Sequence, residues 1–400
     1  MHQASPKSLG CIRLGDHVVK IGSGFTPLGG YRSYQSSGIP LIRSQNVHMN
    51  RFEPEGLAFI SEEQDAEMEG SRVLAGDVLL NITGASIGRV CVAPDHFCPA
   101  NVNQHVCVIR GDGTFDSDFL CLYFSSPLFQ KFVWDSQAGA TRQALTKGLI
   151  ENLKIPLVGL PEQKRIAARL REQLAEVPRA LKAVEDQLQA AEVLLSKLLR
   201  GIFSSPEAHW SRQRLGDVLR LRKNVIHPRN SPKGNTTFVG LEHIESHTGR
   251  RIGCVPVEMS ELTGRKPQFF GGDIIYGYLR PYLNKVWLAD FDGLCSVDQY
   301  VFSVVEDADK EYIAWFMRSP LYLERAPISK APGQLPRIRT EEVAGVEIEL
   351  PPPQEQRRIS ARINEYFQNT QNLRGSISQK LTEIEKLPAA ILREAFTGAT

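Results

Sequence analysis

Six short blocks of this chain occur twice, in the same order. Arg13-Leu14-Gly15-Asp16 returns as Arg214-Leu215-Gly216-Asp217, and Ala75-Gly76-Asp77-Val78-Leu79 returns as Gly271-Gly272-Asp273-Ile274-Ile275. Asn103-Gln104-His105-Val106 matches Asp298-Gln299-Tyr300-Val301, and Ser126-Pro127-Leu128 matches Ser319-Pro320-Leu321. Glu162-Gln163-Lys164-Arg165-Ile166 matches Glu355-Gln356-Arg357-Arg358-Ile359, and Leu199 to Phe203 matches Leu392 to Phe396. The offset drifts only from 201 to 193, so the chain is a duplication of about 195 residues with a few insertions. Whatever it folds into, it must do so twice.

Each repeat has two parts. The first is strand-like, with short apolar runs (Val73 to Ile82 and Val106 to Ile109; Asp273 to Tyr278 and Tyr300 to Val305) broken by Gly, Pro and Asn. A short helix with a turn follows, Phe119 to Val133 and Tyr312 to Leu323, then a polar loop and a strand, Leu153 to Pro156 and Val346 to Glu349. This is an α/β module. The second part is a long helix. From Ala167 the apolar residues Leu170, Leu174, Val177, Leu181, Val184, Leu188, Ala191, Leu195, Leu198 and Ile202 recur in alternating steps of three and four, a coiled-coil seam. Pro161 suits the helix start, and Pro178 predicts a kink. Glu162 to Phe203 would span about 60 Å. The second helix is less regular (Ile359, Ile363, Phe367, Leu373, Ile377, Leu381, Ile384, Leu387), with Pro388 bending its end. Neither seam can stay exposed, and a repeat related by an in-chain two-fold axis sets the helices antiparallel. The expected domains are 1–160, 161–205, 206–350 and 351–400.

Charge limits the function. Residues 1–160 carry 13 Lys and Arg against 15 Asp and Glu, and residues 206–350 carry 19 against 19. No segment is a basic arm, so a nucleic-acid ligand would need local clusters or partner subunits to supply phosphate attraction. No apolar run is long enough to span a membrane, and Met1 to Asp16 lacks an apolar signal core, which predicts a cytoplasmic protein. The seven cysteines show no CxxC spacing and read as reduced, mostly buried thiols; the scattered histidines predict no metal site. There is no P-loop, no Asn/Asp-Pro-Pro-aromatic methyltransferase signature and no Gly-rich Rossmann turn.

Module, strand, Pro161-Glu162-Gln163-Lys164-Arg165-Ile166, long helix, and then the whole pattern again with Pro351-Pro352 and Glu355-Gln356-Arg357-Arg358-Ile359: this order resembles the specificity subunit of Type I restriction–modification systems over nearly the whole chain. Gly24 to Pro27, Ile42 to Val47, Gly84 to Arg89 and Asn101 to His105 are similar to that family's target-recognition domain. The second module departs, with Tyr276 to Pro281 in place of the Gly-Ala-Ser-Ile-Gly turn. The resemblance implies two α/β target-recognition domains alternating with two long helices in an antiparallel coiled coil, a pseudo-two-fold repeat. It also implies a non-catalytic subunit that binds double-stranded DNA at a bipartite, asymmetric site. Such subunits hold two adenine-N6 methyltransferase subunits and recruit restriction–translocase subunits, with S-adenosylmethionine and ATP on those partners. The helices act as the ruler between half-sites and as the dock for the methyltransferases.

Base edges are read by Arg, Lys, Asn or Gln on loops that present them bidentately. Arg43, Gln45 and Asn46 follow a short apolar strand and suit that role; otherwise Asn46 makes a turn and Arg43 a surface ion pair. Gly84 to Arg89 either offers Ser86 and Arg89 to phosphate or forms a plain hairpin turn. Asn101, Asn103, Gln104 and His105 read first as fold-fixing hydrogen bonders. Thr141, Arg142 and Lys147 lie on a polar loop before a helix start, and Arg337 and Arg339 are their counterparts. Tyr276, Tyr278, Arg280, Tyr282, Asn284 and Lys285 interleave aromatics with cations, as a groove-contacting ribbon or an ordinary amphipathic strand. Arg220, Arg222 and Lys223, with His227 and Arg229, form the densest basic stretch, suited to positioning phosphates. Two other functions compete: a coiled-coil protein-interaction scaffold without DNA, and a hydrolase built on Asp77 or Asp273, aspartates that more simply cap turns before buried strands.

Overall fold

The computed structural model describes residues 10–137, 144–228, 234–327 and 335–397. It divides into two compact units, Met1–Val184 with Lys380–Thr400, and Glu185–Gln379.

In the first unit a four-stranded antiparallel sheet runs in the order Val18–Ser23, Val106–Gly111, Val78–Asn81, Val90–Val92. All four residues of Val78–Asn81 are buried because both faces of the sheet are covered. Side chains alternate across a strand, so the two faces collect different partners. Val78 and Leu80 join Phe119, Leu122 and Phe124 under the helices Ser117–Ser125 and Pro127–Gln137, while Leu79, Val106 and Val108 pack with Ile42, Val47 and Val102 on the other side. That second cover is a three-stranded sheet in which Ile39–Ile42 pairs antiparallel with Ala58–Ile60 and parallel with Asn101–Val102. Cys11–Arg13 and Lys154–Pro156 close the module as an antiparallel pair.

The second unit repeats the plan. Its four-stranded sheet has the order Leu219–Leu221, Gln299–Val304, Ile274–Gly277, Val286–Leu288, and Ser211–Arg214 pairs with Glu347–Leu350. Even the parallel contact returns, between Asn235–Val239 and Gly293–Cys295, now inside a five-stranded sheet. The helix pair is Lys310–Arg318 and Pro320–Arg325.

The duplicated blocks do identical structural work. Asp116 and Asp309 cap the first helix of each pair at the N–H of Phe119 and Tyr312. Ser319 caps the next helix in the second unit. Gln163 and Gln356 are fully buried. Gln163 Oε1 accepts the Asp116 N–H at 2.8 Å while its Nε2 donates to the carbonyls of Thr114 and Val158. Gln356 repeats this with the Asp309 N–H and the Pro351 carbonyl. Each glutamine therefore fixes the start of a long helix to the loop that precedes the module's helix pair.

The long helices are Leu160–Ser204 and Pro353–Thr397, both continuous past their internal prolines, Pro178 and Pro388. Ala167, Leu170, Leu392 and Phe396 belong to the core of the first unit; Leu195, Leu199, Phe203 and Ile363 belong to that of the second. Each unit thus holds the start of one helix with the end of the other, as an antiparallel pair requires. The first seam ends on Leu199 and Phe203 rather than on the expected Leu198 and Ile202, because Phe203 packs edge-on against Tyr312 and Phe316 at 5.3 and 5.4 Å. On the second helix Leu373 and Leu387 are exposed, contrary to expectation, and Thr370 and Ile377 are buried instead. No helix among the described residues is long and apolar enough to cross a membrane.

Candidate nucleic-acid interface

In each module the polar loop after the helix pair returns to the end of the central strand. Thr83 bridges Ala144 in the first, and Leu279 bridges Arg337 in the second. In the second unit this return closes one side of a cleft of about 640 Å³. Arg222, Lys223, Tyr278, Arg337 and Arg339, nominated from three separate stretches of sequence, line it together. The rings of Tyr278 and Tyr300 stack at 4.4 Å on its wall. The Tyr300 hydroxyl donates to the Ile338 carbonyl, and burial, then the neighbouring Tyr278, raises its pKa above the ordinary phenol value. Arg265 is a lining cation that the sequence reading missed; it stands alone between Gly264 and Lys266, with no repeat partner to mark it. Lys223, Arg265, Arg337 and Arg339 are exposed, and the one carboxylate in the lining, Glu342, accepts the backbone N–H of Arg339. Stacked rings among unneutralised guanidinium groups can hold a polyanion whose bases or sugars offer flat surfaces.

Arg222 has a second duty. Its Nε donates to Oδ2 of Asp273 at 2.6 Å, and its guanidinium lies 5.0 Å from the centre of the Phe270 ring. Asp273 also accepts the Phe270 N–H, and Asp77 does the same for Leu74 while a bidentate Arg110 pairs with it at 2.8 Å. Both aspartates are 2 % exposed. They are turn caps held by arginine.

In the first unit, Asn81 ties two nominated turns together. Its Nδ2 donates to the Ser44 carbonyl, and its backbone N–H to the Arg89 carbonyl. Ser86 and Arg89 sit on the turn that begins at Gly84, where φ is +74°. Neither side chain has a hydrogen-bond partner among the described residues, so both are available to a ligand. Gln104 is exposed and accepts from Thr26 Oγ1 at 2.5 Å, while Thr83 Oγ1 meets His105 Nδ1, also at 2.5 Å. Lys147 is exposed at the first turn of the helix Lys147–Glu151, 3.7 Å from Glu151. Thr141 and Arg142 lie outside the described residues.

Most of the other expected contact residues have partners within the fold. Asn46 is buried, accepting the Arg43 N–H and donating to the carbonyls of Glu53 and Glu55, so it makes the turn. Arg43 donates to the Gly56 carbonyl at 2.5 Å and lies over the Tyr34 ring; Gln45, though exposed, donates to the same carbonyl. Tyr276 is completely buried. It is the counterpart of Leu80, on the helix-covered face of the sheet, and burial pushes its hydroxyl up to about 12. The strand ends at Gly277, and Tyr278, two residues beyond Tyr276, is only partly buried, packed at the edge of that core. Lys285 is half-buried, with Nζ on the Leu241 carbonyl at 2.6 Å. Arg220 folds back on the carbonyls of Gly216 and Leu219, and Arg280 is exposed with φ at +53°. All seven cysteines are free thiols, and only Cys11 is fully exposed. Among the described residues one group, Glu207, His209 and Glu355, brings ligand-type atoms within 4.8 Å, closed as a histidine–carboxylate pair of 3.0 Å.

Comparison with known proteins agrees with this layout. The specificity subunit of the Type I restriction enzyme EcoDI of Escherichia coli is 26 % identical over 301 residues, 67 % of each chain. The EcoKI specificity subunit of E. coli K12 is 21 % identical over 388 residues, 90 % of this chain and 82 % of that one. A crystal structure of the HsdS subunit from Thermoanaerobacter tengcongensis superposes with a TM-score of 0.68 at 19 % identity, covering 99 % of this chain and 98 % of that one. The family model described as the Type I restriction modification DNA specificity domain matches twice, over residues 10–183 and 207–383. The chain belongs to the Type I restriction–modification DNA-specificity family.

Proposed function

We propose that this chain is the DNA-reading subunit of a Type I complex, contributing recognition but no catalysis. Each module contacts one half of a bipartite, asymmetric site on double-stranded DNA. The long helices set the separation and dock two adenine-N6 methyltransferase subunits, and restriction–translocase subunits join that assembly in the cytoplasm. S-adenosylmethionine and ATP are bound by those partners.

The observation that carries this reading is the cleft around the Tyr278–Tyr300 stack. It gathers Lys223, Arg265, Arg337 and Arg339, and the repeat match sets Gln104 and His105 of the first module at the positions of Gln299 and Tyr300 in its wall. One frame with two different polar linings suits two different half-sites. Because the modules are near neutral overall, the free chain should bind DNA weakly, with steep salt dependence. The test is a titration of labelled duplex at two salt concentrations, with and without the methyltransferase subunits. Affinity that tightens and gains sequence dependence only in the complex supports the proposal. Nanomolar specific binding by the lone chain at physiological salt refutes it.

A further inference from the structure

The second unit contains a buried arginine that has no counterpart in the first. Arg318 ends the helix Lys310–Arg318 and is 9 % exposed. Its Nε donates to the Val286 carbonyl at 3.0 Å, its guanidinium lies 4.5 Å from the centre of the Trp315 ring, and Gly249 packs close to Nε. A Cβ on Gly249 would fall 2.2 Å from Arg318 Nε, and its φ of +67° independently favours glycine. Arg318 makes no ion pair with any described carboxylate. A buried guanidinium with no direct ion pair is costly: burial pulls this one down to about 10, against the smaller opposing influence of the Glu311 charge.

The guanidinium borders a cavity of about 830 Å³ lying wholly within this unit. Its walls are mainly apolar, from Leu195, Leu199, Ile244 and Leu323, with the hydroxyls of Ser196 and Thr370 among them. Lys285 and Arg374 add positive charge, and the single carboxylate in the lining, Glu245, is already held by Arg250 at 3.0 Å and Arg374 at 3.6 Å. Such a volume, apolar with a few convergent polar groups, is that of a small-molecule site.

The other repeat supplies the control. The Ser126/Ser319 match places Ser125 at the position of Arg318. Ser125 Oγ donates to Asn50 Oδ1 at 2.7 Å, and the Asn50 N–H, not a guanidinium, donates to the Val90 carbonyl. The neighbouring cavity of the first unit, about 610 Å³, has one arginine in its lining, Arg171, and Asp118 neutralises it. The same frame therefore closes without a buried, unpaired cation.

We propose that the cavity beside Arg318 binds a small organic anion, a carboxylate or phosphate ester on an apolar body, with Arg318 as the anchoring residue. The planar fork holds the anionic head and the apolar walls hold the body. This goes beyond DNA recognition and does not depend on it.

The test uses the purified full chain and three probes of similar size: phenyl phosphate, benzoate and the uncharged benzyl alcohol. Calorimetry and thermal unfolding should show saturable binding of one or both anions and none of the alcohol. Arg318→Met should weaken anion binding at least about tenfold. Because a buried substitution can disturb folding, Ser196→Glu is the second variant. Its carboxylate, placed on an exposed wall residue, should abolish anion binding while circular dichroism and the unfolding midpoint without ligand stay unchanged. Absence of saturable binding to either anion, or equal binding by wild type and a folded Ser196→Glu, overturns the proposal.

Discussion

The side-chain carbonyl of Gln163 accepts the backbone N–H of Asp116 at 2.8 Å, joining the first turn of a 45-residue helix to the cap of a module helix 47 residues earlier in the chain. With its two further bonds to Thr114 and Val158, the amide is satisfied on both sides. Gln163→Leu removes all three and leaves those part-buried backbone groups without this partner. The expected cost is about 1–3 kcal/mol, read from urea unfolding of the full chain. Gln356→Leu should cost about the same in its own unit. A midpoint unchanged in both variants would contradict the assigned role.

Two tyrosines separated by one glycine should behave oppositely. Tyr276→Ala empties a fully buried site between the sheet and Tyr322, and large-to-small core changes of this kind cost about 3–5 kcal/mol. Tyr278→Ala, on the cleft wall and only partly buried, should cost clearly less stability than Tyr276→Ala and reduce methylation of cognate DNA by the assembled complex. Arg337→Ala with Arg339→Ala should do the same, by roughly 1–3 kcal/mol for a cation that reads a base. Unaltered methylation in both cleft variants would remove the cleft from the interface.

The thiols give a pH prediction with a definite sign. An unfolded cysteine titrates near about 8.5, whereas burial pushes Cys91, Cys107 and Cys295 up to about 12. The folded chain keeps these protons to higher pH than the unfolded chain does. Their contribution to stability is therefore complete below the unfolded value and is lost as pH rises from there toward 12. Alkylation followed by mass spectrometry at pH 8 should label exposed Cys11 first. Cys91, Cys107, Cys121 and Cys295 should stay unlabelled until the chain unfolds. Equal rates at all positions would show that these cores open.

The duplication was legible because matched blocks carry matched jobs: Asp77 and Asp273 cap turns, and Gln163 and Gln356 lock helix starts. Their chemistry was not legible, since a glutamine in a charged helix start looks like solvated surface until its burial is known. The seam slipped by one residue at Leu199 and Phe203, because a strict 3–4 pattern drifts against 3.6 residues per turn and an aromatic pocket decided the phase. Tyr276 and Tyr278 looked alike in an alternating stretch. Tyr276 lies within the strand and the core, whereas Tyr278 lies past the strand's end at Gly277, at the core's edge. Arg222, Lys223, Arg337 and Arg339 were nominated for their charge, but no local pattern could tell that residues more than a hundred positions apart share one cleft. Arg265 had no pattern at all.

The central claim is that two modules on one frame read two different DNA half-sites. The direct measurement is methylome sequencing of cells that express this chain with its methyltransferase subunits, against cells lacking it. The account predicts adenine methylation, dependent on this chain, at a site of two unlike short blocks separated by a spacer of unspecified bases. A single continuous motif, two identical half-sites, or methylation unaffected by loss of the chain would contradict it.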